Sequence, residues 1–248
     1  MQLVSQAVAL GLEGLAITDH DTCSGWPQAM LAAKERAIHV VPGIELSCQY
    51  GQSREVHLLA YWPDPEYPQL HQTLQQLQQA RHQRNDRIIQ KLRQAGYAVS
   101  PERVAQLARG ESVGRPHIAM ALVEAGWAYS IQDAFHKFLN QGGVGYVPRY
   151  KLDPLDCVRL ITAAGGVAVF AHPATAGCDP LIPELKQAGL RGLEVYHPNH
   201  PLNQEIHYTA LCRKYQLIAT GGSDCHTGGL GSKTCSRQAV EALEKFRQ

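Results

Sequence analysis

The chain has 248 residues and 27.3 kDa, 44% of them hydrophobic and 18% charged, which is enough apolar mass to bury a core and too much for wholesale disorder. Its 23 basic and 22 acidic residues nearly cancel to +1, so no global positive field marks a track for duplex DNA. No apolar run approaches the roughly 18 residues of a membrane span, and Met1 is not followed by a basic region and an apolar stretch, so a cytoplasmic chain without a membrane partner is expected.

The first segment, 1–66, alternates in α/β fashion. Gln2–Leu10 has helical spacing and ends at Gly11, Leu15–Thr18 is a short apolar run that stops at Asp19-His20-Asp21, and Pro27–Ala37 reads as a helix with Pro near its start. Ile38–Val41 and Glu55–Tyr61 read as strands. From 67 to 145 the strand signal fades. Leu70, Leu74, Leu77, Ile88 and Leu92 make an apolar helical stripe, and Gly96, Pro101, Gly110, Pro116 and Gly126 punctuate shorter helices. That stretch is too long for a loop and predicts an inserted all-helical subdomain. Alternation resumes over 146–248, with helices at Asp153–Ala164, Leu181–Ala188 and Asn203–Tyr215 and strands at Gly166–Ala171, Gly192–Tyr196 and Leu217–Thr220. Repeated βα units predict parallel strands joined by right-handed crossovers. Opening on a helix is unusual for such an architecture, which predicts a strand upstream of Met1.

Seven cysteines without a C-x-x-C pair argue against a disulfide framework or a zinc knuckle. The unusual residue is histidine, present twelve times. Four expected strand ends carry His, a carboxylate or both: Thr18-Asp19-His20-Asp21, Gly43-Ile44-Glu45, Ala171-His172-Pro173 and Gly222-Ser223-Asp224-Cys225-His226. His57 lies inside its own strand. One such histidine alone is a structural residue. Several imidazoles and carboxylates gathered on one rim are the ligand set of Mn, Fe or Zn, because burying so many polar groups without an ion is costly.

Taken in order, TDHD (18–21), GIE (43–45), VH (56–57), AHP (171–173) and GSDCH (222–226) resemble the PHP family, the polymerase-and-histidinol-phosphatase metal-dependent phosphoesterases. Gly114-Arg115-Pro116-His117-Ile118-Ala119 and Tyr146-Val147-Pro148 are similar to its ribonuclease AM and 3',5'-nucleoside bisphosphate phosphatase subgroup. The resemblance implies a distorted seven-stranded (β/α) barrel, here lacking its first strand, with the helical insertion as a cap. It implies two or three divalent ions, commonly manganese, with His20, Glu45, His57, His172, Asp224 and His226 as ligands and Asp19 behind them. It further implies hydrolysis of nucleotide or RNA 5'-end phosphate esters by metal-activated water. A histidinol-phosphate-type phosphatase and a catalytically impaired remnant are the alternatives. Family members also carry His-x-His and an Asp about twenty-five residues before TDHD, ahead of Met1, and without them fewer ions and at most trace turnover are expected.

Phosphate needs cations beyond the metal. Arg115 suits this role through its bidentate fork, with His117 as its partner. Arg81 and Arg84 interrupt the apolar stripe and are expected at solvent, or else on a second phosphate of the substrate. His197, at a strand end, is expected to line the pocket or act as an acid. No protein partner is evident.

Overall fold

The computed structural model describes residues 2–51, 54–108, 113–148, 150, 152–226 and 228–247. The chain divides into two compact units, residues 1–74 with 151–248, and residues 75–150.

The first unit is mixed α/β. Its strands are β1 (Gly14–Ile17), β2 (His39–Tyr50), β3 (Arg54–Tyr61), β4 (Val167–Phe170), β5 (Gly192–Tyr196) and β6 (Ile218–Gly221), hydrogen-bonded in that order in one six-stranded sheet. Helix α1 (Gln2–Ala9) and helix α2 (Trp26–Arg36) flank β1. The α2 side chains buried in that layer are the small Ala29, Ala32 and Ala33, which share a core with Val4, Ala7, Ile17 and Val40. Small residues let a helix lie close to the strands it covers.

The expectation of a parallel sheet needs correction. Pairs β1–β2, β4–β5 and β5–β6 are parallel, but β2–β3 and β3–β4 are antiparallel. The cause is local. A parallel pair needs a crossover of about a dozen residues or more, whereas β2 turns straight back into β3 after Gly51, whose φ is +61°. β3 therefore runs against all its neighbours. The strand expected over 38–41 is also longer than read, continuing through Gly43-Ile44-Glu45 to Tyr50. Glu45 thus sits inside a strand rather than at its end.

The second unit is helical. It holds most of α3 (Pro68–Gln94), then α4 (Pro101–Leu107), α5 (Arg115–Glu124) and α6 (Ile131–Ala134), the last continuing as a π-turn over Phe135–Leu139. Ile88, Leu92, Ile118, Leu122 and Leu139, each fully buried, form its core. Truncating one of them to Ala costs about 2–5 kcal/mol. Ser100 and Ser130 cap α4 and α6 by accepting backbone N–H bonds from Arg103 and Asp133. The stripe through α3 is broken by Asn85, buried because its Nδ2 donates to Val113 C=O at 2.8 Å.

Back in the first unit, α7 (Pro154–Ala163), capped by Asp153, leads into β4. Three further helices, α8 (Pro173–Ala176), α9 (Ile182–Ala188) and α10 (Leu202–Tyr215), connect β4, β5 and β6, and α11 (Arg237–Glu244) closes the chain. The carboxyl ends of β1, β4, β5 and β6 and the amino-terminal half of the reversed β3 thereby reach one rim.

Candidate metal centre

The centre is built from sheet register. Gly14 faces His39 and Ile17 faces Pro42, an offset of 25 residues, and the bridge between His20 and Glu45 beyond the end of β1 keeps that offset. Two backbone bonds carry the extension: Glu45 N–H donates to Asp19 C=O at 3.1 Å, and Asp21 N–H to Glu45 C=O at 3.0 Å. Across β2, Ser47 faces His57, and Ser47 and Glu45 project from the same side of the strand, so Glu45 and His57 are a diagonal pair. Ala171 N–H donates to His57 C=O at 3.0 Å, which delivers His172 next to them.

Three imidazoles therefore converge on one carboxylate that is only 6% exposed. Glu45 Oε1 lies 2.7 Å from His57 Nδ1 and 3.2 Å from His172 Nε2, and Oε2 lies 3.5 Å from His20 Nδ1. Burial alone would raise the Glu45 pKa, but the His20, His57 and His172 rings outweigh it and hold the carboxyl well below its usual range. For His172 burial acts downward, yet the hydrogen bond and charge of Glu45 prevail and lift it to about 9. Donor atoms of His20, Glu45 and His57 all lie within 4.8 Å of one another. Two imidazoles and an ionised carboxylate at that spacing are a donor set that fits a borderline divalent cation.

A second group adjoins the first. Asp224 Oδ1 is 3.4 Å from His226 Nδ1, and Oδ2 is 3.4 Å from His197 Nε2. His226 and His20 have ring centroids 5.9 Å apart, and His172 and His197 5.3 Å apart. Burial works to raise the Asp224 pKa, and the His197 contact overcomes it and lowers it. All six expected ligands and His197 thus form one contiguous cluster in the first unit.

Several supports were not read from the sequence. Thr175 Oγ1 donates to His172 C=O at 2.9 Å and lies 2.7 Å from His172 Nδ1. Its single proton is spent on the carbonyl, so it accepts from Nδ1–H and turns the ring with Nε2 toward the cluster. Glu194, 6% exposed on β5, accepts the His172 backbone N–H at 2.8 Å, and burial pushes its pKa up to about 7. A side chain at Gly222 would meet Glu194 Oε1 at 2.8 Å. Asp21, 1% exposed, accepts Ser47 N–H at 3.0 Å. Asp21, His172 and Asp224 have φ of +56°, +29° and +45°, left-handed conformations that L-residues adopt at a cost. Such strain concentrates where a side chain must be aimed. The one available signal was Glu194, a lone carboxylate in the apolar run Gly192–Tyr196.

His197 differs from its expectation. It is 1% exposed, its Nδ1 accepts Asn199 N–H at 3.1 Å, and its Nε2 proton therefore faces Asp224 instead of an open pocket. Asp19 packs where Gly25 has no side chain, since a Cβ there would lie 2.6 Å from Asp19 Oδ2.

Arg115 and His117 belong to the second unit. His117 Nδ1 accepts Gly114 N–H at 3.0 Å, closing the first turn of α5, and Arg115 stacks over Phe135 at 5.4 Å. Arg81 and Arg84 are half-buried, not at solvent as expected: Arg84 Nε donates to Val147 C=O at 2.9 Å, and Arg81 Nη1 lies 3.6 Å from where a Gly114 Cβ would stand.

Among the described residues no helix is long and apolar enough to cross a membrane. A family model for the PHP domain matches residues 1–143. The chain is 32% identical to phosphoribosyl 1,2-cyclic phosphate 1,2-diphosphodiesterase of Eggerthella lenta, over 91% of this chain and 87% of that protein. It is also 32% identical to the 5'-3' exoribonuclease Rnm of Escherichia coli (90% and 78%) and 31% identical to the 3',5'-nucleoside bisphosphate phosphatase of Chromobacterium violaceum (94% and 83%). A crystal structure of a candidate metal-dependent phosphoesterase from Bifidobacterium adolescentis superposes with a TM-score of 0.91 at 32% identity, covering 100% of this chain and 90% of that one. A Chromobacterium violaceum amidohydrolase structure with bound sulfate and no metal gives 0.88 at 29%, covering 99% and 90%. The register-built cluster of histidines and carboxylates on a mixed α/β sheet, with these relatives, makes the chain a member of the PHP family of phosphoesterases.

Proposed function

We propose that the chain is a manganese-dependent phosphoesterase that hydrolyses phosphate esters of nucleotides or of RNA 5' ends in the cytoplasm, iron or zinc being the other candidate ions. The observation that carries this reading is the buried Glu45 carboxylate shared by three imidazoles. His20, Glu45, His57 and His172 hold one side of the centre, and Asp224 and His226 the other. Bound there, divalent ions would supply a water of lowered pKa and neutralise phosphate charge. Glu45, ionised at neutral pH, would hold such an ion together with His20 and His57. His226 Nδ1 lies 3.1 Å from Asp224 C=O, a bond that would leave Nε2 as the ligating atom. His197 orients Asp224 through its Nε2 proton, a positioning role rather than that of an acid. In the helical insertion over 67–145, Arg115 would grip a phosphate and His117, its Nδ1 occupied by Gly114 N–H, would offer Nε2–H to it. Arg81 is the further cation of that group.

The test is phosphate release, with added manganese, from adenosine 3',5'-bisphosphate, a 5'-phosphorylated oligoribonucleotide and histidinol phosphate. Release from either of the first two supports the proposal. Release from histidinol phosphate alone overturns it in favour of the smaller substrate.

A further inference from the structure

The near-zero total charge hides a partition. Residues 75–150 carry ten Lys or Arg against five Asp or Glu, a net +5, while the other 172 residues carry thirteen against seventeen, a net −4. Part of the excess lies on one face of α3. Arg84, Arg87 and Lys91 recur at spacings of three and four, so they stack along one side of the helix, with Arg87 and Lys91 roughly 6 Å apart along its axis. Two of the three reach across to the same segment: Arg84 Nε donates to Val147 C=O at 2.9 Å and Lys91 Nζ to Tyr146 C=O at 2.8 Å. Lys91 thus spends a hydrogen bond on a neutral carbonyl and keeps its charge. No carboxylate among the described residues forms an ion pair with Arg87 or Lys91, and Arg87 is exposed between the two ties. The tied segment carries Tyr146, half-buried, and Tyr150, 47% exposed.

We propose that Arg87 and Lys91 of α3, with Tyr146, whose carbonyl Lys91 holds, and Tyr150 four positions further along the chain, form a binding surface for single-stranded RNA. It rests on the reading above that the substrate is a nucleotide chain. Cations in a row track a sugar-phosphate backbone, and tyrosine rings take unstacked bases without regard to sequence. A duplex hides its base faces and gives the tyrosines nothing to stack on. An acidic peptide would use the cations and leave the rings idle, which makes it the competing occupant to test.

The measurement is fluorescence anisotropy of a 3'-labelled, 5'-hydroxyl decaribonucleotide with the manganese-loaded full chain. This ligand lacks the 5' phosphate, so the readout stands whether or not turnover is seen, and a failure of the phosphoesterase reading shows separately in phosphate release. Arg87→Glu and Tyr150→Ala should each weaken binding about tenfold, and Arg87→Glu should flatten its salt dependence. Lys34→Glu, the same charge change on an exposed position of α2, should leave binding within twofold. Equal weakening by Arg87→Glu and Lys34→Glu would reduce the effect to net charge and overturn the proposal. So would unchanged binding in Tyr150→Ala, or displacement of the RNA by a poly-glutamate peptide as readily as by unlabelled RNA.

Discussion

The two units differ sharply in charge and in histidine content. The α/β unit holds nine of the twelve histidines and a net negative charge, while the helical unit holds three histidines and a net positive one. One is composed to hold cations and the other to hold anions. A formal charge of +1 reports neither, because the two excesses cancel. The lesson is that net charge excludes partners only when it is read for each folded unit.

That division can be broken most severely at Glu45. Glu45→Gln keeps the shape but removes the negative charge shared by His20, His57 and His172, and should lower turnover by about 1000-fold or more and strip bound manganese, as metal analysis would register. Retained manganese would show that the carboxylate is not a ligand. In the helical unit, Arg115→Ala should raise KM for a phosphorylated substrate about 100-fold with metal content unchanged, and Arg115→Lys should recover only part of this, since a point charge lacks the fork. Steady-state kinetics with parallel metal assays separates the two units cleanly. A loss of metal in Arg115→Ala would blur the comparison.

Smaller effects sharpen it. Thr175→Val removes the oxygen that accepts from His172 Nδ1, and manganese affinity by calorimetry should fall about tenfold, with Thr175→Ser restoring it. The helical unit should be indifferent, so KM at saturating metal should stay put. Smallest is Gly25→Ala, whose methyl would press on Asp19 Oδ2 at 2.6 Å. Moving that side chain should cost about 1–2 kcal/mol of stability in denaturant unfolding, with Arg115-dependent binding intact.

Much of the candidate centre was legible because its residues stand at abrupt ends of apolar runs: His20 after Leu15–Thr18, His172 after Val167–Phe170, and Asp224 after Ile218–Gly221. Such punctuation needs no knowledge of pairing. Strand direction was not legible, since the hairpin that reverses β3 looks in sequence like two short strands with a polar link. The apolar run before Glu45 resembles the end of a strand, whereas β2 runs on for five more residues to Tyr50. Thr175 and Asp21 were missed for another reason. Their roles depend on which neighbour's N–H or ring nitrogen comes within 3 Å, and only the fold decides that. A cation on an apolar stripe has few local partners, which is why Arg81 and Arg84 are expected at solvent or on a second phosphate; the carbonyl that Arg84 reaches is 63 residues away in the chain.

The β2–β3 hairpin has a consequence for how the molecule comes together. Glu45 and His57 are twelve positions apart in the chain, and their 2.7 Å contact requires only that hairpin. Hairpins of this kind close in microseconds, long before strands separated by a hundred residues find one another. His172 and Asp224 arrive from such distant strands. A nascent chain therefore offers a two-ligand foothold early, and an ion captured there would favour the register in which the remaining side chains complete the cluster. Refolding in manganese should then run faster than refolding in chelator followed by metal, a difference stopped-flow fluorescence of the tryptophans can time.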